Sequence, residues 1–74
     1  MKEISQRIFD LLKVQGKTQK ELAVVLGVDP SAIAGWKRDN TNPKAEYLSI
    51  IAKYLNVSGD YLLGLTDNPK PHYE

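Results

Sequence analysis

The chain has 74 residues, and its ten lysines and arginines nearly balance its nine aspartates and glutamates, leaving a formal net charge of +1. A chain of this length builds one hydrophobic core and excludes an enzyme with a cleft between two lobes. Hydrophobic residues make up 42% and charged residues 26%, which is too apolar for a disordered tail. Because there is no cysteine and a single histidine, His72, a disulfide framework and a cysteine-histidine metal site are excluded, so helix packing has to stabilise the fold.

The first two helices are predicted by hydrophobic spacing and by a capping motif. Apolar residues recur at helical spacing over residues 3–15, which predicts helix one. Thr18 can cap the amide of Glu21 while the Glu21 side chain binds back to Thr18, so a second helix begins at this pair. Gly27 follows the last apolar residue of that helix, where a left-handed glycine ends a helix at little cost.

The third helix has its own start signal. Asp29 can cap the helix, and Pro30 suits its first position because the missing amide hydrogen is not needed there. The pattern continues to Arg38, with Ile33 and Trp36 on one face, so we expect both of these side chains to belong to the core. The other side chains of this helix are then directed largely away from that core face.

Loop residues separate the third helix from the rest of the chain. Residues 39–43 include two asparagines and end in a proline, which favours a turn rather than a helix. Apolar spacing predicts helix four over about residues 44–56, and Ser58 caps a short fifth helix. The proline-rich residues 66–74 are predicted to be a flexible tail or the start of a linker, after a domain over residues 1–65.

These elements predict an all-α protein, a compact five-helix bundle that contains a helix-turn-helix. The unit consists of residues 18–26 and 29–38, joined by a turn so short that the two helices must cross steeply. In such a unit the first helix lies across a DNA backbone, and the second enters the major groove with its N-terminal residues toward the bases. Basic residues fall in two clusters on either side of the middle of the chain, Lys13, Lys17 and Lys20, and then Lys37, Arg38 and Lys44.

The ordered series of core, cap and turn residues resembles the lambda-repressor-like, or XRE-type, helix-turn-helix family of phage and bacterial repressors. The resemblance covers about residues 4–64. It runs through Thr18-Gln19, Glu21-Leu22-Ala23, Leu26-Gly27-Val28, Ile33, Trp36, Pro43, Leu48, Ile51-Ala52, Leu55, Val57 and Asp60-Tyr61-Leu62-Leu63-Gly64. It implies a five-helix DNA-binding domain that binds palindromic operator DNA as a dimer, without catalysis and without a cofactor or metal.

The candidate DNA-binding residues follow from this resemblance and from the helix positions. The base-reading surface corresponds to Pro30, Ser31, Ala32, Ala34 and Gly35. Contacts to phosphate are expected from Gln19, Lys20, Lys37, Arg38, Asn40, Thr41, Asn42 and Lys44. The reading surface departs from the usual chemistry because it holds one hydroxyl and no long donor. The family commonly has a glutamate after the tryptophan position and a glycine at the end of the third helix, where this chain has Lys37 and Asp39.

Two classes of function remain open from the sequence. The first is a cytoplasmic transcriptional regulator, most simply a repressor, whose partners are double-stranded DNA and a second copy, with an anti-repressor protein as a further candidate partner. The second is a protein-interaction module, antitoxin-like or a regulatory subunit, in which the small side chains of the third helix admit a protein partner. An apolar surface of Leu62, Leu63 and Leu65 is a candidate for pairing, and a C-terminal segment beyond Glu74 in a longer parent protein is an equal candidate. No long apolar run indicates a membrane partner.

Overall fold

The computed structural model describes residues 4–39 and 41–70, and over these residues the chain forms five helices and no strand. The predicted all-α fold is confirmed. The first predicted helix included Glu3, and this residue and His72 both lie outside the described residues. The helices are α1 (Ile4–Gln15), α2 (Gln19–Leu26), α3 (Pro30–Arg38), α4 (Ala45–Leu55) and α5 (Gly59–Leu63).

One hydrophobic core joins all five helices, because each helix contributes at least one large side chain that solvent does not reach. These side chains are Ile8, Leu22, Ile33, Ile51, Leu55 and Leu62. Pro43 is buried as well, and it anchors the connection between α3 and α4. Trp36 is half-buried against the core rather than enclosed by it, so the predicted core position is only partly realised.

The helix ends show the predicted local chemistry. The Thr18 hydroxyl accepts a hydrogen bond from the Glu21 amide at 3.0 Å, and the Thr18 amide donates to the Glu21 carboxylate at 3.1 Å. Gly27 ends α2 with a φ of +70°, in the left-handed region that favours glycine. Asn56 takes the same role after α4 with a φ of +56°. Gly27 and Asn56 fix where α2 and α4 end, and they therefore help to set the directions of α3 and α5.

Two side chains from the N-terminal part of the chain bind the last turn of α4. Lys17 donates a hydrogen bond to the Tyr54 carbonyl at 3.0 Å, and its ammonium lies 4.4 Å from the centre of the Tyr54 ring. Gln15 donates to the Leu55 carbonyl at 2.8 Å. The end of α1 and the segment that follows it therefore satisfy carbonyl groups that α4 itself leaves without a partner.

The chain after α5 folds back toward the start of that helix. The Ser58 amide donates to the Pro69 carbonyl at 3.0 Å, although residues 66–70 form no helix. The domain boundary at residue 65 stays a prediction. The predicted pairing surface needs a correction, since Leu62 is fully buried in the core, while Leu63 and Leu65 remain exposed.

Candidate nucleic-acid interface

The α2–α3 unit is built by three consecutive backbone devices. After α2, the Val28 amide donates to the Ala23 carbonyl at 3.0 Å, which turns the chain within two residues. The Asp29 carboxylate accepts a hydrogen bond from the Ser31 amide at 2.9 Å and so caps α3. Pro30 occupies the first turn of α3, where no amide hydrogen is needed. The aim of α3 is therefore set by local sequence chemistry.

The cap on α3 also changes the acidity of Asp29. The backbone amide of Ser31, assisted by the Ser31 side chain, holds the pKa of the Asp29 carboxyl below its ordinary value of 3.8. The charged carboxylate is thus favoured at the N-terminus of α3, where the helix dipole favours it too. Near neutral pH the cap is complete.

The two faces of α3 differ sharply. On one face Ile33 is fully buried against α1 and α2. On the other face four of the predicted base-reading residues are exposed: Pro30, Ser31, Ala32 and Ala34. Because none of these four side chains is larger than a proline ring, another surface can approach the backbone of α3 closely.

Gly35 is the exception among the predicted base-reading residues, because it is buried. A methyl group placed on it would lie 3.3 Å from Nη2 of Arg38 and 3.9 Å from Oδ2 of Asp39. The Arg38 side chain therefore lies across the position where any other residue would carry its Cβ. The atoms nearest to that methyl position belong to a charged pair.

Arg38 and Asp39 form a two-point ion pair at the end of α3. Nε of Arg38 donates to Oδ1 of Asp39 at 3.2 Å, and Nη2 donates to Oδ2 at 3.3 Å. These hydrogen bonds, and then the carboxylate charge, raise the pKa of the Arg38 guanidinium above its ordinary value. Asp39 leaves the helix at a φ of −97°, so the glycine that the family commonly has there is not needed.

Lys37 lies on the other side of α3, toward α1. Its ammonium is 5.9 Å from the centre of the Phe9 ring. It lines a groove of about 350 Å³ together with Gln19, Lys13 and Lys17. The structure thus brings together Gln19 and Lys37 from the predicted phosphate-contacting set, and adds Lys13, which the sequence placed only in a basic cluster.

The remaining predicted contacts lie beside this unit. Lys20 is exposed on the first turn of α2, and Thr41, Asn42 and Lys44 are exposed in the connection to α4. Ser5 of α1 donates a hydrogen bond to the Thr41 carbonyl, which ties this connection to the body of the domain. Asn40 lies outside the described residues.

Other kinds of site have little support in the described part of the chain. Residues 4–39 and 41–70 contain no cluster of three histidine, cysteine or acidic side chains able to hold a metal ion. Within the same ranges no helix has the length and the apolar character needed to cross a membrane. The exposed face of α3 with its cationic surroundings is therefore the strongest candidate for a functional surface.

Comparison with known proteins gives one family. A family model described as helix-turn-helix matches residues 8–62. The uncharacterized HTH-type transcriptional regulator YobD of Bacillus subtilis is 38% identical over 69 residues, covering 93% of this chain and 62% of that protein. The HTH-type transcriptional regulator ImmR of the same organism is 33% identical over 61 residues, covering 82% and 48%. The chain thus spans roughly half to three fifths of these relatives, both of which are named as HTH-type transcriptional regulators.

Solved structures agree with this result. The P22 c2 repressor protein in complex with a synthetic operator is 35% identical, with a TM-score of 0.73 over 85% of this chain and 96% of that one. The N-terminal DNA-binding domain of SinR from Bacillus subtilis is 33% identical, with a TM-score of 0.68 over 80% of this chain and 87% of that one.

Proposed function

This chain belongs to the helix-turn-helix family, as its resemblance to lambda-repressor-like domains predicted, and we propose that it is the DNA-binding domain of a transcriptional repressor. The observation that carries the proposal is the division of α3: Ile33 is locked into the core, while Ser31, Ala32 and Ala34 face solvent. A repressor bound to its operator, the P22 c2 protein, has this fold at 35% identity. We place the protein in the cytoplasm, where its DNA is.

In the proposed complex α3 enters the major groove and α2 lies across the backbone. Pro30, Ser31, Ala32 and Ala34 then face the base edges. Ser31 supplies one hydrogen bond, and a methyl group of Ala32 or Ala34 contacts a thymine methyl. The small size of these side chains allows close docking in place of long reach.

The phosphate contacts come from the surroundings of α3. They are assigned to Gln19, Lys20, Lys37, Thr41, Asn42 and Lys44, with Asn40 from the same connection. These contacts position the domain without reading sequence. Because the formal net charge is only +1, affinity depends on this local cluster, and binding should weaken steeply as salt rises.

We assign the functional unit as a dimer on a palindromic operator. Two copies of α3 then lie one helical turn of DNA apart, about 34–36 Å. The exposed side chains of Leu63 and Leu65 are candidates for the contact between copies, and an anti-repressor protein that covered α3 would block operator binding.

The experiment is a selection of bound duplexes from a random pool, followed by titration of the selected duplex and a scrambled control at several salt concentrations. We expect a palindrome whose binding exceeds that of the scrambled duplex by at least ~10³. Ser31→Glu should abolish this preference, because a carboxylate is placed against the DNA. Ser49→Glu is the matched control, since Ser49 is also exposed but lies on α4.

The alternative function, a protein-interaction module, is distinguished by the same experiment. Its support is the set of small exposed residues on α3, which a partner protein could also approach closely. Equal DNA binding by Ser31→Glu and Ser49→Glu, or no enriched sequence at all, would contradict the repressor proposal. Retention of one partner protein by the unmodified chain, lost in Ser31→Glu, would then support the alternative.

A further inference from the structure

The base-reading surface of α3 lacks a side chain at Gly35, and the side chain of Arg38 lies beside this position. Gly35 has no side chain to offer a base, but Arg38, one turn later on the same face, folds back across it. The contact is close, with Nη2 of Arg38 3.3 Å from the position of a Gly35 methyl group. The guanidinium therefore lies over the reading face, at a position where the sequence itself supplies no donor.

The ion pair leaves one edge of the guanidinium unused. A guanidinium carries five N–H donors in a fixed plane. Asp39 accepts from Nε and from Nη2, which occupies one edge of that plane. The edge formed by Nη1 and the second hydrogen of Nη2 stays open, and the side chains of Arg38 and Asp39 are 70% and 57% exposed. Two parallel donors are what the N7 and O6 atoms of guanine accept in the major groove.

We propose that Arg38 reads a guanine in the operator through its open edge, and that Asp39 is the positioning residue that holds the guanidinium over Gly35 for this contact. The inference rests on the proposed function and reassigns Arg38 from phosphate contact to base reading. It supplies the long donor that the residues of the reading surface themselves lack.

Charge favours a base over a phosphate as the partner of Arg38. The ion pair is formally neutral, so it gains little from the field of the DNA backbone. A phosphate brought to the open edge would also lie near the Asp39 carboxylate, and like charges repel. Guanine N7 and O6 carry no net charge and accept both hydrogen bonds. The pair is thus better suited to selecting a base than to adding general affinity.

The neutrality of the Arg38–Asp39 ion pair also predicts how Asp39 affects binding to DNA that lacks the operator sequence. Without the carboxylate, Arg38 becomes one more mobile cation at the interface. Binding to any duplex should then rise, while the preference for the guanine site falls. Asp39 would act on specificity in two ways. It orients the Arg38 guanidinium, and it neutralises the positive charge that Arg38 would otherwise offer to phosphate.

The test compares the unmodified chain with Arg38→Met, Asp39→Asn and a control, Lys37→Gln, on the selected duplex. The guanine is located by replacing each guanine of a half-site with 7-deazaguanine, which lacks the N7 acceptor. One such replacement removes one of the two hydrogen bonds and should weaken binding by the unmodified chain toward the lower end of the roughly 5- to 150-fold range expected for a whole bidentate contact. Arg38→Met keeps much of the length of the side chain but has no hydrogen-bond donor, so its binding should change no more than about threefold on that replacement.

The other variants separate positioning from charge. Asp39→Asn should bind the scrambled duplex more tightly than the unmodified chain and lose much of the ratio between selected and scrambled duplexes. Lys37→Gln should keep the guanine preference and reduce the salt slope by about one. Thermal melting of each variant checks folding, which exposed substitutions at these positions should leave intact.

Two results would overturn the inference alone. One is a selected duplex whose binding by Arg38→Met is as sensitive to 7-deazaguanine as binding by the unmodified chain. The other is an unchanged ratio of selected to scrambled binding in Asp39→Asn. Failure of the unmodified chain to enrich any sequence would instead overturn the proposed function, and this inference with it.

Discussion

The inner and outer faces of α3 belong to the same nine-residue helix but obey different constraints. Ile33 on the inner face is fully buried, so its volume is fixed by the neighbours it packs against. Ser31, Ala32 and Ala34 on the outer face contact solvent, and folding places no demand on their size. The helical repeat therefore decides which residues of α3 stabilise the domain, and it leaves the remaining residues available for recognition.

The largest effect is expected on the inner face. Ile33→Ala should lower the free energy of unfolding by about 2–5 kcal/mol, since it removes buried methyl groups and leaves a cavity. Urea denaturation followed by circular dichroism measures this loss. Ala34→Gln, one residue later on the outer face, should stay within about 0.5 kcal/mol of the unmodified chain. Similar losses in both variants would contradict the division of the helix.

A smaller effect is expected at the start of α2, the helix that holds the inner face of α3. Thr18→Ala removes the capping hydroxyl that accepts from the Glu21 amide and should cost about 1 kcal/mol. Thr66→Ala is the matched control, because Thr66 makes a similar bond to Asn68 outside the helices. Equal thermal midpoints for the two variants would show that the capping box is dispensable.

Gly35 offers a change that should move stability and binding in opposite directions. Gly35→Ala should raise the free energy of unfolding by roughly 0.5–1 kcal/mol, because alanine loses less chain entropy in a helix. The added methyl group contacts the flexible end of Arg38 and should displace the guanidinium, which weakens binding to the selected duplex. Melting and titration of one preparation measure both effects, and binding that rises with stability would contradict the assigned role of this face.

The smallest effect concerns acid. The folded-state pKa of Asp29 lies below its ordinary value of 3.8 because the Ser31 amide binds the charged form. The resulting stabilisation is complete above about pH 4 and is lost as the pH falls through the folded pKa. Asp29→Asn caps the helix without titrating, so its thermal midpoint should fall less between pH 5 and pH 2. Parallel curves for the two proteins would contradict this contribution.

Most of the fold was predictable because its signals are local. Thr18 with Glu21, and Asp29 with Pro30, specify helix starts through atoms only two or three residues apart, and Gly27 specifies an end through its own backbone. The contact of Lys17 with the Tyr54 carbonyl was not predictable, because 37 residues separate the two and no local pattern encodes it. The same holds for the burial of Leu62, which depends on how α5 docks.

The candidate site was predictable in position but not in detail. Helical phase identified the exposed face of α3, and composition showed that it lacks a long donor. That Arg38 folds back over Gly35 could not be deduced, because a long exposed side chain has several rotamers of similar energy. The sequence nevertheless contained a useful signal. Gly35 lies three residues before Arg38, and Asp39 directly follows Arg38.

The side chains that bind the end of α4 bear on how the domain opens. Gln15 and Lys17 donate hydrogen bonds to the Leu55 and Tyr54 carbonyls, so fraying of the last turn of α4 breaks its contacts with the end of α1 and with the segment that follows it. Opening of these two regions should therefore be one cooperative event, with similar protection factors in native-state hydrogen exchange. Acetylation of Lys17, which removes its charge, would loosen both regions at once.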